Sequence, residues 1–283
     1  MKTKFNTYSP FLQASLLFII GLVVFSVLSM IASLWVSWFY PEILNSSVET
    51  QINHYGIQYM AVNFLPVQLG VMLTPGLLYL YLEEKENKVI TKVDFKFIVW
   101  SAALFVCIMF LLPFLSEVNV SIVKWLGAYE SLIKYKEMSD EMLRTLIGEV
   151  DSSSFYFSVL LIGVLTGIAE ELAFRRFLFH HILSNTKKLG LSLVSSSVLF
   201  ALLHFNYLQM IPIFCFGLAL ALMYYASGSI VPGIIAHAAN NILNLYWLST
   251  DSFPSWLKGI ELKTTIPSIV ILMGLLIYFH KRK

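Results

Sequence analysis

The chain has 283 residues, 58% of them hydrophobic and 13% charged, with a net charge of +2. A soluble domain carries about 25% charged residues, so a water-soluble globule of this size is excluded and a lipid bilayer is the natural solvent. The small net charge gives no footing for nucleic acid, and the two cysteines, Cys107 and Cys215, lie in apolar runs as small hydrophobes rather than as a disulfide framework.

A helix needs about 20 apolar residues to cross the hydrocarbon core. The sequence predicts eight such spans, near 11–39, 60–82, 97–115, 154–178, 190–205, 209–226, 230–249 and 264–280. The first follows Lys2 and Lys4 and has no small-residue cleavage site, so it reads as a retained span that also serves for targeting. The loops 41–59 and 116–153 mix apolar and charged positions, and within them 121–136 and 140–150 predict short helices lying at the interface. The fifth and sixth spans are separated by a short link around Asn206. The sixth and seventh are separated by Ser227-Gly228-Ser229, with Pro232 in the first turn that follows. The expected fold is an all-α, polytopic transmembrane bundle of about eight spans with interfacial helices in the extracytoplasmic loops. Three regions are expected: 1–153, a helical core over 154–249, and a last span with a basic tail over 250–283.

The positive-inside rule orients this layout. With the N-terminus in the cytoplasm, eleven Lys and Arg residues fall in inside segments and six in outside ones. Both termini are therefore expected on the cytoplasmic side, in a bacterial cytoplasmic membrane.

Among seventeen acidic residues, only Glu170 and Glu171 fall within an expected span. Even on the lenient insertion scale such a residue costs about 2.5–3.5 kcal/mol, and those that persist face a bundle interior or a polar cavity and mark function. Glu171 and Arg175 stand at i and i+4 with the acid first, which suits an ion pair. Glu170 is turned about 100° from Glu171 and need not share that partner. Both acids pairing with Arg175 and Arg176, as a purely structural lock, is the other reading. Two histidines, His204 and His237, also lie in apolar segments. His237 and Asn241 share a helical face, as do Phe200 and His204. Counted at 1.5 Å per residue, Glu170, His204 and His237 all fall roughly 12–21 Å from the cytoplasmic end. No serine or cysteine nucleophile has a suitable partner, and Ser195, Ser196 and Ser197 read as helix-packing residues.

Glu170-Glu171-Leu172-Ala173-Phe174-Arg175 reads as EExxxR, Phe200 to His204 as FxxxH, and His237 to Asn241 as HxxxN. In order and spacing these motifs resemble the CPBP family of type II CAAX prenyl endopeptidases and bacteriocin-processing or immunity-type membrane proteins, over about residues 150–250. Arg176 stands where many members have glycine. The resemblance implies an intramembrane endopeptidase acting on a membrane-associated peptide or protein, lipidated or precursor, within the bilayer. It implies that Glu170, helped by His204, activates the attacking water. By the same resemblance, His237 and Asn241 are expected to stabilise the oxyanion, and Glu171 and Arg175 to hold the site's shape. Glu170, His204 and His237 also form a conceivable zinc shell. Yet HExxH and HxxEH are absent, so either no cofactor or a divalent metal, zinc first, fits the sequence. A non-catalytic scaffold or immunity protein of the same fold, and an ion-coupled transporter using Glu and His as a proton relay, are the competing readings. The absence of a repeat relating the two halves speaks against the transporter.

Overall fold

The computed structural model describes Phe5 and residues 7–83, 93–254 and 262–280. All eight expected spans are helices, and there is no strand among the described residues. In chain order the helices are α1 (Pro10–Phe39), α2 (Pro41–Leu44), α3 (Val48–His54), α4 (Gly56–Leu82), α5 (Phe95–Trp125), α6 (Tyr129–Ile147), α7 (Ser153–Thr186), α8 (Leu189–Leu202), α9 (Met210–Ser227), α10 (Val231–Thr250) and α11 (Leu262–His280). Helices α1, α4, α5, α7 and α9 are long and apolar enough to cross a membrane. The protein is an integral membrane protein built as a helical bundle. Most of the charges that set the expected orientation, including Lys2, Lys4, Lys85, Lys88, Lys92 and the tail Lys281-Arg282-Lys283, lie outside the described residues.

Two expectations are corrected. Helix α5 does not stop at 115 but continues to Trp125, and the chain breaks at Gly127 (φ +71°) before α6 begins. The expected helices 121–136 and 140–150 are therefore the end of one long helix and a single 19-residue helix, α6. A left-handed glycine supplies a stop that neither charge nor hydropathy announces. Helix α8 ends at Leu202, before His204. Its 14 residues rise about 21 Å, short of the roughly 30 Å hydrocarbon core.

The described chain forms two compact units. The first comprises residues 1–87, 140–187 and 237–251. Here α1 packs along α4, and α4 along α7. Close approach rests on glycine: a Cβ on Gly70 would lie 2.5 Å from the backbone of Phe25, and one on Gly76 would lie 2.8 Å from that of Leu172. Small residues are what let membrane helices meet this closely, since lipid tails remove the hydrophobic drive between helices. Tyr79, Leu82, Phe177 and Leu17 close a buried cluster at the α4–α7 end.

Both α4 and α7 contain π-helical stretches: Val67–Leu73 in α4, and Val159–Leu165 and Leu172–Phe179 in α7. In α4 the cause is visible in sequence. Pro66 and Pro75 bracket the stretch, and neither can donate the regular backbone hydrogen bond. The Thr74 hydroxyl donates to the Leu69 carbonyl at 2.7 Å. In α7 the Thr166 hydroxyl does the same for Leu161 at 3.1 Å. Each carbonyl also accepts the backbone N–H of the same threonine, so the hydroxyl adds a second donor to the i→i+5 bond of the wider turn.

The second unit comprises residues 88–139, 188–236 and 252–283. Its α9 packs against both α5 and α8, and α11 against α5. Ser197 Cα lies 3.4 Å from a Cβ placed on Gly217, so the serine-rich face of α8 is a packing face, as expected. Buried Asn119 donates to the Tyr207 carbonyl and accepts from the Ile211 N–H, both at 2.9 Å, and so ties down the α8–α9 link.

Candidate active site

The two glutamates sit on a six-residue α-helical step of α7, Thr166–Glu171, between its π-helical stretches. Both are buried: Glu170 is 7% exposed and Glu171 not at all. The Arg175 guanidinium lies 2.9 Å from Glu171 Oε1, forming the i,i+4 ion pair the spacing predicts. Arg176 does not join it. It pairs with Glu83 at the end of α4, and His180 Nε2 reaches the other oxygen of Glu83 at 3.1 Å. The reading in which Arg175 and Arg176 neutralise the two intramembrane acids therefore fails for Arg176.

His237, 2% exposed, reaches this pair from α10. Its Nδ1 lies 3.1 Å from Glu171 Oε1, and its Nε2 lies 3.7 Å from Glu170 Oε2. A carboxylate only accepts, so the contact with Glu171 puts a proton on Nδ1 and turns Nε2 towards Glu170. One oxygen of Glu171 thus serves both the Arg175 cation and the His237 ring. The four side chains form a connected row: Arg175, Glu171, His237, Glu170.

Gly163 and Gly167 bring α10 so close. A Cβ on Gly167 would fall 3.1 Å from the backbone N of Ala238, and one on Gly163 would fall 2.7 Å from Ile242 Cγ1. Ala238 and Ile242 each follow a motif residue, His237 and Asn241, so the helix face that lies on the glycines carries the motif side chains with it. The signal stood in the sequence as Gly163-Val164-Leu165-Thr166-Gly167, a GxxxG step, and motif spacing alone passed it over. Asn241 Nδ2 donates to the Ile162 carbonyl at 3.2 Å, within the π-helical stretch before the glutamates.

Phe200 and His204 belong to the second unit. Phe200 is buried on α8, and a Cβ on Gly217 would come within 3.1 Å of its ring. His204 is exposed and lies in the turn after α8 rather than inside a span. Its Nδ1 donates to the Phe200 carbonyl at 2.7 Å, and its ring leans on that of Phe200 at 4.5 Å between centroids. The side chain takes the carbonyl that a further helical turn would have used, and Phe205 at φ +51° turns the chain away. The FxxxH spacing is thus a helix C-terminal cap. With the proton held on Nδ1, the neutral ring presents Nε2 as its basic atom.

Zinc sites use three or four protein ligands; of the expected shell, Glu170 and His237 Nε2 face one another across 3.7 Å. No group of three His, Cys, Asp or Glu side chains is arranged to hold a metal among the described residues.

Residues 152–243, about a third of the chain, match the family model for type II CAAX prenyl endopeptidase Rce1-like proteins. The match spans α7 to α10 and every motif residue, in line with the CPBP resemblance. No curated protein and no solved structure matches the chain significantly.

Proposed function

Starting from the similarity of residues 152–243 to the type II CAAX prenyl endopeptidase Rce1-like family, we propose that this protein is an intramembrane endopeptidase hydrolysing one peptide bond of a membrane-associated, lipidated or precursor, peptide or protein. The observation that carries the mechanism is the division of labour within the acidic pair. Glu171 is held between a guanidinium and an imidazole, while Glu170 faces His237 Nε2 across 3.7 Å. That separation is too long for a direct hydrogen bond. Two such atoms can both hydrogen-bond one water molecule lying beside them.

Glu170 acts as the general base. It takes a proton from water as the water oxygen bonds to the scissile carbonyl carbon; a helping role for His204 rests on the family resemblance alone. The carbonyl π electrons move to oxygen. That oxyanion is met by His237, protonated at Nε2 as well, and by the second N–H of the Asn241 amide, whose first is held by Ile162. As the C–N bond breaks, Glu170 returns its proton to the leaving amine nitrogen. Arg175 and Glu171 keep the His237 ring in register throughout. Cleavage takes place near the cytoplasmic face of a bacterial membrane, with both termini on that side.

The test is cleavage by purified protein in nanodiscs of a fluorogenic panel containing farnesylated CaaX-type and unlipidated membrane peptides. Glu170→Gln is expected to lower turnover by about 10²–10⁴-fold, the range of a general base, with the protein still folded. Cleavage by the Glu170→Gln protein at the wild-type rate would reject the assignment.

A further inference from the structure

Helix α10 has 20 residues, long enough to cross the hydrocarbon core, yet it is not apolar enough to stand with α1, α4, α5, α7 and α9. His237, Asn240, Asn241 and Asn244 are what lower its hydropathy. At about 100° per residue, the three asparagines stand at about −60°, +40° and −20° from His237, so the four side chains share one stripe. Ile235, Leu243 and Tyr246, all exposed, stand at about 160°, 240° and 180°. The apolar face that meets lipid is therefore opposite the stripe.

Exposure rises along the stripe. His237 is buried, Asn240 and Asn241 are half-buried, and Asn244 is exposed. Asn244 lies about 10 Å beyond His237 along the axis. It thus has open space beside it on the side of α10 turned away from lipid, the side on which His237 meets the glutamates.

Polar side chains of membrane helices commonly tie one helix to another. Asn241 does so through the Ile162 carbonyl. Among the described residues, the Asn240 and Asn244 side chains bond only within α10. Asn240 Nδ2 donates to Asn241 Oδ1 at 3.4 Å, and Asn244 Nδ2 donates to the Asn240 carbonyl at 2.8 Å. Each amide keeps its oxygen and one N–H for another molecule. At membrane depth such groups call for a water-filled space. The site has a matching need, because Glu170 is buried and every peptide bond hydrolysed consumes one water molecule beside it.

We propose that Asn244 and Asn240 bind a file of water that supplies the attacking water to Glu170 and His237. This rests on the peptidase reading above. The file starts near the Thr250 end of α10, which the exposed Arg144–Asp251 ion pair places at the aqueous surface. It passes Asn244, Asn240 and Asn241 and ends between His237 Nε2 and Glu170 Oε2. One turn of helix rises about 5.4 Å, and a water with two hydrogen bonds of about 2.8 Å spans nearly the same length. One water per turn therefore links each polar side chain to the next. A neutral amide both donates and accepts, so it passes water along without taking up charge.

Two measurements test it. The first needs no catalysis. In a Cys107→Ala, Cys215→Ala background in nanodiscs, Asn244→Cys and Leu243→Cys are treated with a charged methanethiosulfonate. The reagent attacks thiolate, which forms in water and not in hydrocarbon. Asn244→Cys is expected to react about ten-fold faster or more than its neighbour on the lipid face. Equal rates overturn the proposal. The second is a split of kcat from KM on the cleaved peptides. Asn244→Leu keeps the volume and removes the water-binding groups. It is expected to lower kcat about ten-fold, the equivalent of one hydrogen bond, with KM unchanged. Asn244→Ser still binds water and is expected to keep about half of the wild-type kcat or more. A raised KM with kcat unchanged would mean that Asn244 touches the peptide instead, and equal losses in the Leu and Ser variants would mean a structural role; either ends the proposal. If wild-type protein cleaves no peptide of the panel, the peptidase reading fails, and the labelling still decides whether water reaches the stripe.

Discussion

His237 Nδ1 and Arg175 converge on one oxygen of Glu171, at 3.1 and 2.9 Å, in a site where all three side chains are essentially buried. The two neighbouring glutamates are therefore expected to respond differently to the same substitution. Glu171→Gln leaves the Arg175 charge buried without its counter-ion, and breaking a buried pair costs about 3–5 kcal/mol. A thermal or denaturant melt in detergent should show that loss. Glu170→Gln should melt within about 1 kcal/mol of wild type while losing turnover.

The glycine step under α10 can be probed separately. Gly167→Val must push on the Ala238 backbone, which cannot yield without moving His237. Overpacking of this kind costs about 1–3 kcal/mol, and a 1 Å displacement of a catalytic group costs about 10²-fold in rate. At Gly163 the obstructing atom is the Ile242 side chain. Gly163→Ala should therefore be milder, and Gly163→Ala with Ile242→Ala should recover activity in the cleavage assay. Failure of the pair to recover any activity would mean that the contact does not govern the position of α10.

Arg176 is buried against Glu83, which is also reached by His180. A double-mutant cycle with Arg176→Met and Glu83→Gln should give a coupling free energy of about 1–3 kcal/mol, read from unfolding. The double variant should be more stable than Arg176→Met alone, because the single change leaves the Glu83 charge without its guanidinium while the double removes both charges. Additive effects would show that the pair contributes nothing.

No group of three His, Cys, Asp or Glu side chains is arranged to hold a metal among the described residues, so a strong chelator is expected to leave turnover unchanged. Elemental analysis of the active protein should find less than one zinc per chain. Loss of activity on chelation, restored by added zinc, would contradict this.

Orientation follows from the charge bias of the loops. A cysteine at position 188 should be labelled by an impermeant thiol reagent only after the cells are opened, and one at position 130 in intact cells. The reverse pattern would invert the layout. The native Cys107 and Cys215 lie within α5 and α9 and should stay silent.

The sequence by itself determined the solvent, the all-helical class and which acidic residues lie inside a span, because lipid leaves few structural options: backbone groups must bond within a helix and an ionisable group at depth must have a reason. Composition alone therefore located Glu170 and Glu171, and helical periodicity gave the Glu171–Arg175 pair, since both partners lie on one turn. What lay between helices was decided only by the tertiary structure. Nothing local tells Arg176 to pair with Glu83, ninety-three residues away, or tells His237 to take Glu171 as its nearer partner. The placement of His204 was missed for another reason. Hydropathy does not register a helix end made by a side-chain cap and one left-handed residue, so an apolar run continued on paper where the helix had already stopped. The π-helical stretches and the glycine contacts complete the account. They set how near α4 and α10 come to the glutamates of α7, and that distance depends on which small residue meets which backbone across an interface, a relation between segments that no single segment encodes.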